Sequence, residues 1–393
     1  MNVFERDKEY IANTYNRFPV CITHGKGSLL YGDDGKEYID LGAGIAVNTF
    51  GTADEEWLAA VTKQLGLFAH TSNLYYSEPC TLAAEMLCKR TGMKKVFFSN
   101  SGAEANECAI KAARRYAEKN KGAEYYNIIT LEKSFHGRTL TTLAATGQEA
   151  FHKDFRPLTP GFVYTPANDA AALEKTAAEN KCAAIMIEIV QGEGGVNALD
   201  ADFVKAVFET AEKHGLLVIT DEVQCGSGRT GELFGYMNYG VKPDIVTTAK
   251  GLAGGLPIGA TLLGERAENI FEPGLHGSTF GGNPVSCSGA VNVLSRLTDC
   301  FLESVRGKGG LVRSMLSGAE GFESVSGMMR YAFERLGARR IIAEVNARNT
   351  RSLKLVERLG MRKEAHFREY MPRKENSGIY DDLCVFAVLK NEI

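Results

Sequence analysis

Two kinds of apolar pattern alternate along most of the chain. Short runs dominated by apolar residues, typical of buried strands, are separated by segments in which apolar residues recur every three or four positions, as in amphipathic helices. The strands are expected at 96–99, 127–131, 183–190, 216–221 and 244–249, and the helices at 103–119, 169–180 and 200–214. Because short apolar strands separated by helices form parallel sheets covered on both faces, this pattern predicts an α/β fold. Ligands bind such sheets at the carboxyl ends of the strands.

The region before these strands has a different pattern. Residues 19–50 contain the turn signal Gly-Asp-Asp-Gly at 32–35, between the stretches SLLY and EYIDL. Helical spacing follows at 53–66 and 79–91. We therefore expect short strands joined by turns near the N-terminus, followed by two helices.

Composition and charge exclude several classes of function. The chain has 393 residues, of which 44% are hydrophobic and 24% charged, with a net charge of −3 at pH 7. That length allows two or three domains, and the small charge gives no electrostatic basis for binding nucleic acid or an anionic membrane. The first 18 residues lack the apolar core of a secretory signal, and the nine cysteines show no C-x-x-C pairing. We therefore expect a cytoplasmic protein with reduced thiols.

The composition changes sharply near Gly327. Residues 328–393 carry 14 lysines and arginines against 9 acidic residues, a net charge of +5, whereas residues 1–327 carry −8. Of the 42 glycines, 39 lie before the break. This step indicates two segments of different origin.

The motif SNSGAEANE (99–107) follows an expected strand and opens an expected helix. Ser101, Gly102 and Ala103 are small, so a ligand can approach the backbone. The free N–H groups and the dipole of a helix N-terminus favour a phosphate. An ordinary helix cap with a tight turn would use the same residues, so both interpretations stay open for this motif alone.

The motif SFHGRT (134–139) follows the strand at 127–131. Phe135 could stack on a planar ligand, and Arg138 could bind a carboxylate with two parallel hydrogen bonds. A core phenylalanine, a solvated His136 and a surface arginine would give the same pattern.

Asp221 and Glu222 end another buried strand. A buried carboxylate is costly unless it is paired, and a cationic heterocycle nitrogen would be a suitable partner. A capping acid, a metal ligand or one of a glycosidase pair would be alternatives. We expect no metal, because no cluster of histidines and carboxylates at ligand spacing accompanies the pair.

Lys250 ends the strand at 244–249 and is followed by glycines. Desolvation lowers the pKa of a lysine amine, which suits Schiff-base chemistry with a carbonyl. The alternative is a lysine whose amine extends to solvent.

Two further loops lie at strand ends or in turn-rich sequence. HGSTFGGNP (276–284) offers Ser278 and Thr279, and EIVQGEGG (188–195) offers Glu188 and Glu193. Taken together, the motifs describe a phosphate cradle, a stacking ring, a buried acid and a carbonyl-reactive lysine. This combination predicts pyridoxal 5′-phosphate as the cofactor.

These motifs carry a resemblance. The matching stretches are YNRFPV, LGAGIAVNTFG, HTSNLYYSEP, SGAEANECAIKAARRY, SFHGRT, QGEGGV, DEVQCGSGRTG, AKGLAGGLPIGA and HGSTFGGNPVSC. Residues 1 to about 327 resemble the class III, fold-type I, pyridoxal-phosphate aminotransferases, in particular the acetylornithine aminotransferases. The resemblance implies a mixed, mostly parallel sheet sandwiched by helices.

The resemblance also implies roles around the cofactor ring. Lys250 would hold the cofactor covalently and then carry the proton, so Lys250 and Asp221 are the expected catalytic residues. Asp221 would keep the pyridine nitrogen protonated. Gln224 would bond the ring hydroxyl, while Val223 and Phe135 would sandwich the ring.

Further roles follow for the phosphate and for the subunit interface. Ser101, Gly102 and Ala103 would bind the phosphate, and Thr279 would reach the phosphate of the other subunit. The resemblance therefore implies a homodimer with shared active sites.

The implied reaction is transamination of N2-acetyl-L-ornithine with 2-oxoglutarate, which gives N-acetylglutamate 5-semialdehyde and glutamate in arginine biosynthesis. Arg138 and Ser278 would contact the acylated ornithine. Glu193 would alternately mask and free an arginine that receives the glutamate carboxylate. Succinylornithine, ornithine and 4-aminobutyrate aminotransferases share the cofactor motifs and remain alternatives.

The domain expectations are an N-terminal segment (1–50) of small-domain strands, a large cofactor-binding domain (51–285), and the truncated start of a C-terminal small domain (286–327). The remaining residues, 328–393, resemble the C-terminal half of a GNAT-type N-acetyltransferase, in which Asn349 and Ser352 fit the coenzyme-A-side motif N-x-x-S. This segment is expected to have a helix to about 336, a strand at 339–346, a helix at 350–359 and two strands. Because the first half of that fold is missing, with its glycine-rich pyrophosphate turn, we expect no acetyltransferase activity. An impaired or non-catalytic chimera that binds pyridoxal phosphate is the alternative to an active aminotransferase.

Overall fold

The protein is described from a computed structural model that covers residues 1–316, 340–347, 350–372 and 380–389. The chain divides into two compact units, Met1–Val305 and Arg306–Ile393, and each is described by itself. No helix among the described residues has the length and apolar character needed to cross a membrane.

A seven-stranded sheet forms the centre of the first unit. Its strands, in spatial order, are β4 (Lys95–Ser99), β12 (Gly259–Leu263), β11 (Ile245–Thr248), β10 (Leu217–Asp221), β7 (Cys182–Ile187), β5 (Asn127–Leu131) and β6 (Phe162–Thr165). Only β12 runs against the others, because it pairs antiparallel with both β11 and β4. The carboxyl ends of the remaining six strands therefore share one edge. This is the mixed, mostly parallel sheet that the resemblance implies, and the α/β fold class is confirmed.

Helices cover both faces of this sheet. The helices of the first unit that pack on the sheet or connect its strands are α4 (Glu78–Thr91), α5 (Gly102–Asn120), α6 (Leu140–Ala145), α7 (Glu149–His152), α8 (Ala170–Glu179), α9 (Ala201–His214) and α10 (Pro284–Arg296). One core joins the apolar side of α5 to alternate residues of the strands, such as Met186 and Ile219. The other core joins α4, α8, α9 and α10 to the intervening residues, such as Ile187 and Val218. Burial on both faces explains why the strands are apolar at nearly every position.

The N-terminal part of the chain forms smaller elements. These are α1 (Val3–Tyr10), β1 (Ile22–Lys26), β2 (Leu29–Gly32), β3 (Glu37–Ile39), α2 (Ala43–Ala46) and α3 (Glu55–Leu67). The three strands form an antiparallel sheet, and the expected turn at 32–35 joins β2 to β3. Gly35 has a φ of +72°, the left-handed region that favours glycine. The pair β8 (Val190–Gln191) and β9 (Asn197–Ala198) is a separate two-stranded ribbon.

The second unit contains an antiparallel sheet. It has the order β13 (Arg340–Asn346), β15 (Tyr380–Leu389) and β14 (Arg362–Pro372), and the helix Thr350–Arg358 follows β13. The end of α11 (Asp299–Leu316) also lies in this unit. The described part agrees with the strand, helix and two strands expected here, and Ser352 lies in the helix. The expected helix to 336, the junction near 327 and Asn349 lie outside the described residues.

Candidate active site

Asp221 and Lys250 lie at the carboxyl ends of two neighbouring strands. Asp221 is the last residue of β10, and it lies in register with Thr247 of β11. Lys250 begins a short 3-10 helix (Lys250–Ala253) just after β11, with a φ of +43°. The parallel register therefore brings the acid and the lysine to the same edge of the sheet.

The Lys250 amine is partly removed from water, and this burial lowers its pKa. The carboxylates of Asp221, Glu193 and Glu188 act in the opposite direction, which means that all three lie close enough to affect it. The strained backbone and the lowered pKa are both typical of a functional lysine rather than a solvent-exposed one.

Asp221 is 3% exposed and accepts hydrogen bonds at both carboxylate oxygens. Asn106 Nδ2 donates to Oδ2 at 2.7 Å, and His136 Nδ1 lies 2.8 Å from the same atom. The backbone N–H of Val223 donates to Oδ1 at 3.0 Å. Three donors suit a carboxylate, which can only accept, and Oδ1 keeps acceptor capacity for a further donor.

Sequence reasoning missed two of these neighbours. His136 is 2% exposed rather than solvated, and its Nε2 has no hydrogen-bond partner among the described residues. Asn106 is 1% exposed and stands one turn into α5 from Gly102. A buried asparagine on the apolar side of an amphipathic helix was the signal that could have identified it.

The N-terminus of α5 is built around Ser101. Its side chain caps the helix by accepting from the Glu104 N–H at 3.2 Å. The N–H groups of Gly102 and Ala103 have no acceptor within the helix, since they belong to its first turn. They are therefore available to an anion, as the motif predicts.

A close approach joins this helix start to the loop after β10. A Cβ atom added to Gly102 would lie 2.6 Å from Cγ1 of Val223, well inside contact distance. Gly137 is similarly confined, because its φ is +136° and an added Cβ would lie 2.8 Å from that of Ala103. Small residues are thus required where three strand-end segments converge.

Phe135 and Arg138 lie side by side. The guanidinium of Arg138 lies 5.7 Å from the centre of the Phe135 ring and 4.2 Å from that of Phe151. Arg138 is exposed, so its planar donor fork is available to a carboxylate. The aromatic pair, with ring centres 5.6 Å apart, limits where that fork can lie.

The acids of EIVQGEGG occupy different environments. Glu188 is buried, and its Oε2 accepts from the Phe135 N–H at 2.9 Å. Burial, reinforced by the negative charge of Asp221, raises its pKa well above the ordinary value. Glu193 is exposed, yet it lies near enough to affect the pKa of Lys250. Glu188 is therefore a buried carboxyl of this site, although the family resemblance implied no role for it.

Gln224 reaches toward the same loop. A Cβ added to Gly192 would lie 1.5 Å from Gln224 Oε1, so the side chain of Gln224 fills the space beside this glycine. Gln224 is half-buried between the loop after β10 and the loop at 192–195.

Ser278 and Thr279 lie in the loop before α10. Ser278 Oγ accepts from Asn100 Nδ2 at 3.1 Å and from the Gly281 N–H at 3.0 Å. The loop is therefore tied to Asn100, immediately before the cap of α5. Thr279 is exposed.

Asp221 and Glu222, adjacent in sequence, have separate tasks. Glu222 is fully buried and accepts from the N–H groups of Gly235 and Tyr236 at 2.7 and 2.9 Å. Burial raises its pKa to about 7, although these donors act against that shift. Glu222 therefore anchors the 3-10 helix Gly235–Tyr239, whereas Asp221 is held by Asn106, His136 and the Val223 N–H. In the described part of the chain no cluster of metal-binding side chains occurs.

The chain matches two known protein families, one over most of its length and one near its C-terminus. Residues 10–328 match the family model "Aminotransferase class-III", so the chain belongs to the class-III aminotransferases. Residues 319–362 match the model of the GNAT acetyltransferase domain.

Individual relatives agree with this assignment. The chain is 49% identical to the acetylornithine aminotransferase of Haemophilus ducreyi over 82% of each chain, and 48% identical to that of Caldanaerobacter subterraneus over 79% of each. Among solved structures, it is similar to the acetylornithine aminotransferase of Elizabethkingia anophelis, with a TM-score of 0.70 and 32% identity over 80% of this chain and 77% of that one. It also resembles the ornithine aminotransferase of Toxoplasma gondii, with a TM-score of 0.76 and 32% identity over 80% and 75%.

The site fits the cofactor of this family, pyridoxal phosphate. The start of α5 offers free N–H groups next to Gly102, where an added Cβ would force Val223 or the helix start to move. Asp221 is buried with acceptor capacity left on Oδ1, and Lys250 offers a desolvated amine. These are the groups that an anionic, carbonyl-bearing pyridine requires.

Proposed function

We propose that this chain transfers the terminal amine of N2-acetyl-L-ornithine to 2-oxoglutarate with pyridoxal phosphate as cofactor. The observation that carries the proposal is the placement of Lys250 and the buried Asp221 at the ends of adjacent strands, close enough for the carboxylate to act on the pKa of the amine. Identities of 48–49% to acetylornithine aminotransferases favour this donor over other ω-amino compounds.

In this proposal, the cofactor is held from three sides. The N–H groups of Gly102 and Ala103, next to Ser101, bind the phosphate, and Val223 and Phe135 cover the two faces of the ring. Asp221 Oδ1 would accept a hydrogen bond from the protonated ring nitrogen, and Gln224 would bind the ring hydroxyl.

When bound, the cofactor supplies a cationic ring that draws electrons from the carbon bearing the amine. Lys250 Nζ would hold the cofactor through its carbonyl and would be free to carry a proton once substrate is bound. Burial lowers the pKa of this amine, which favours the neutral form that can accept a proton from the carbon bearing the substrate amine. Asp221 would hold the ring nitrogen in its protonated form.

The amino donor is bound through its carboxylate. Arg138, placed against Phe135 and Phe151, binds the carboxylate of the acylated ornithine with two parallel hydrogen bonds. Ser278 lies in the loop tied to the start of α5 and contacts the same substrate. Glu193 is exposed at the edge of the site. It would alternately mask and free an arginine that receives the glutamate carboxylate when the 2-oxo acid replaces the amino acid.

We propose that the enzyme is a cytoplasmic homodimer in which Thr279 reaches the partner's phosphate site. Several large apolar side chains of the first unit are exposed: Leu65, Leu67, Leu74, Tyr75, Tyr76 and Phe280. Several of them lie close together in sequence, at Leu65 and Leu67 and at 74–76, and a contiguous exposed apolar patch marks an interaction surface. Phe280 adjoins Thr279, so an interface there would include the loop with that residue.

The domain division that we propose is a large domain at 51–285, preceded by an N-terminal segment at 1–50. Residues 286–327 begin a C-terminal small domain, which residues 328–393 continue with a GNAT-like segment. The class-III match ends at residue 328, and this favours a second candidate: a protein that binds cofactor but completes the glutamate half-reaction slowly.

The test measures both half-reactions with purified protein and added pyridoxal phosphate. Wild type should form a lysine-linked absorbance band that Lys250→Ala lacks, and N2-acetyl-L-ornithine should discharge it faster than ornithine or 4-aminobutyrate. N-Succinylornithine serves as the close competitor. A soluble wild type without the band would refute the proposal. Fast discharge by the donor but slow recovery with 2-oxoglutarate would identify the second candidate.

A further inference from the structure

Asn106 is a buried amide whose three polar positions are all used. Its Nδ2 donates to the carbonyl oxygen of His136 at 2.8 Å and to Asp221 Oδ2 at 2.7 Å. Its Oδ1 accepts from Thr247 Oγ1 at 2.7 Å. The amide is therefore fixed between α5, the loop after β5 and strand β11.

The two acceptors and the Thr247 hydroxyl together fix the orientation of this amide. A hydroxyl proton donated to Oδ1 leaves the Nδ2 side for the two acceptors, His136 O and Asp221 Oδ2. If the amide were reversed, its oxygen would face both acceptors at hydrogen-bond distance, and its nitrogen would face Thr247 Oγ1. An amide oxygen facing two acceptors in a buried site is costly, so His136 O and Asp221 Oδ2 select the orientation, and the Thr247 hydroxyl holds it by donating to Oδ1.

The orientation matters because Asn106 and His136 both act on Asp221 Oδ2. Their two hydrogen bonds occupy Oδ2, whereas Oδ1 accepts only the Val223 N–H and so keeps acceptor capacity for a further donor. We propose that Asn106, kept in its orientation by Thr247, is a positioning residue that holds Asp221 for the cofactor ring nitrogen. The role toward the cofactor rests on the proposed function. The hydrogen-bond relay from Thr247 through Asn106 to Asp221 does not.

Other titratable groups surround Asp221. These are His136 at Oδ2, Glu188 and Lys250 at the site edge, and Glu222 and Cys225 from the following loop. A pH titration must therefore compare variants that leave all five unchanged, which substitutions at Thr247 do.

Thr247 offers a matched pair of substitutions. Thr247→Val keeps the branched shape that suits a strand but removes the hydroxyl, whereas Thr247→Ser keeps the hydroxyl and loses a methyl group. With Thr247→Val, we expect cofactor affinity to fall about tenfold, as for a lost buried hydrogen bond. The pH at which the ring nitrogen of the bound cofactor is half deprotonated should also fall, because Asp221 holds this nitrogen less firmly. Thr247→Ser should stay within about twofold of wild type in affinity and in pH midpoint.

Readouts in the cofactor-free protein separate this inference from the proposed function. Ring-nitrogen NMR of 15N-histidine-labelled protein reports on His136, since it shares Asp221 Oδ2 with Asn106 and the chain has only seven histidines. Its signal should move in Thr247→Val and in Asn106→Leu but stay in place in Thr247→Ser.

The outcomes are distinct. Equal cofactor affinity, pH midpoint and His136 signal in the valine and serine variants would overturn the role of Asn106. A wild type that binds no cofactor but shows the expected His136 pattern would overturn the proposed function and support the relay. Thermal unfolding of each variant shows whether it is folded. If Thr247→Val fails to fold, Asn106→Leu gives the same comparison against Thr247→Ser.

Discussion

Gly102 and Val223 pack so closely that a single added carbon atom would not fit between them. An ideal Cβ on Gly102 would lie 2.6 Å from Val223 Cγ1 and 2.9 Å from Cγ2. Gly102 is the first residue of α5, and Val223 follows Asp221 by two positions. The anion-binding helix start and the residue proposed to cover the ring are therefore positioned by one contact.

Gly102→Ala is expected to weaken pyridoxal phosphate binding by at least about tenfold. The new methyl group must displace Val223 or the helix start, and either movement misplaces a group that binds the cofactor. Equilibrium titration of the cofactor-free protein measures the effect.

Gly66→Ala is the matched control. Gly66 lies in α3, and a Cβ there would meet no atom within 4 Å. Alanine has the higher helix propensity, so this variant should gain up to about 1 kcal/mol in free energy of unfolding with unchanged cofactor affinity. If Gly102→Ala bound the cofactor as Gly66→Ala does, the close contact would have no role in binding.

Much of this site could be predicted from the sequence, because its main residues are fixed by where strands end. Asp221 and Lys250 each follow a buried apolar run, and parallel pairing brings such positions together without any long-range information. The helix start at Gly102 is equally local, since its cap and its small residues are adjacent in sequence.

Other features depend on contacts that no local pattern shows. Asn106 looks like an ordinary helix residue until Thr247, 141 positions later, is placed beside it. The burial of His136 likewise depends on the position of Asp221, 85 residues away. Strand β12 was missed because Pro257 and the surrounding glycines resemble a loop, whereas its pairing with β4 and β11 stabilises an extended segment.

Glu222 should make the stability of the protein depend on pH around neutrality. Its pKa is raised from 4.5 to about 7, so the folded protein holds the proton more tightly than the unfolded chain. The resulting stabilisation is complete below about pH 4.5 and is lost as pH rises through about 7, a change of about 3 kcal/mol. Denaturant unfolding of wild type and Glu222→Gln between pH 5 and 8 measures this contribution.

Glu222→Gln removes the titrating group but leaves one hydrogen bond unmatched. The amide has one acceptor oxygen, so it cannot accept from both the Gly235 and Tyr236 N–H groups. We expect Glu222→Gln to lower the free energy of unfolding by about 2 kcal/mol at pH 5. This difference should shrink toward pH 8, because the wild type loses the stabilisation that protonated Glu222 supplies. A constant difference across that range would contradict the assignment of the raised pKa.

Asp54 has two roles, and two substitutions should separate them. Its Oδ1 caps α3 by accepting from the Trp57 N–H at 2.9 Å, and both oxygens bind Arg296 at 2.5 and 2.9 Å. The Arg296 hydrogen bond lowers the pKa of Asp54, so this group stabilises the fold above its unfolded pKa of 3.8 and less so as pH falls below it.

Asp54→Asn keeps a capping oxygen but loses the charge, whereas Asp54→Ala loses both. The alanine variant should lose about 1 kcal/mol more free energy of unfolding than the asparagine variant, the usual value of a helix cap. Neither variant should change cofactor affinity, since the hydrogen bonds of Asp54 go to Trp57 and Arg296, neither of which is assigned to the cofactor. Equal losses in the two variants would show that the ion pair alone matters.

Arg138 should govern affinity for the amino donor more than the rate of the chemical step. Lysine at this position keeps the charge but cannot form two parallel hydrogen bonds to a carboxylate, and it lacks the flat surface that rests 4.2 Å from the Phe151 ring. We expect Arg138→Lys to raise KM for N2-acetyl-L-ornithine about tenfold, with kcat changed less than about threefold. Arg156→Lys, at an exposed arginine that pairs with Glu149, is the matched control and should leave both constants unchanged. A large fall in kcat with unchanged KM in Arg138→Lys would mean that Arg138 acts on the transition state instead of binding the substrate carboxylate.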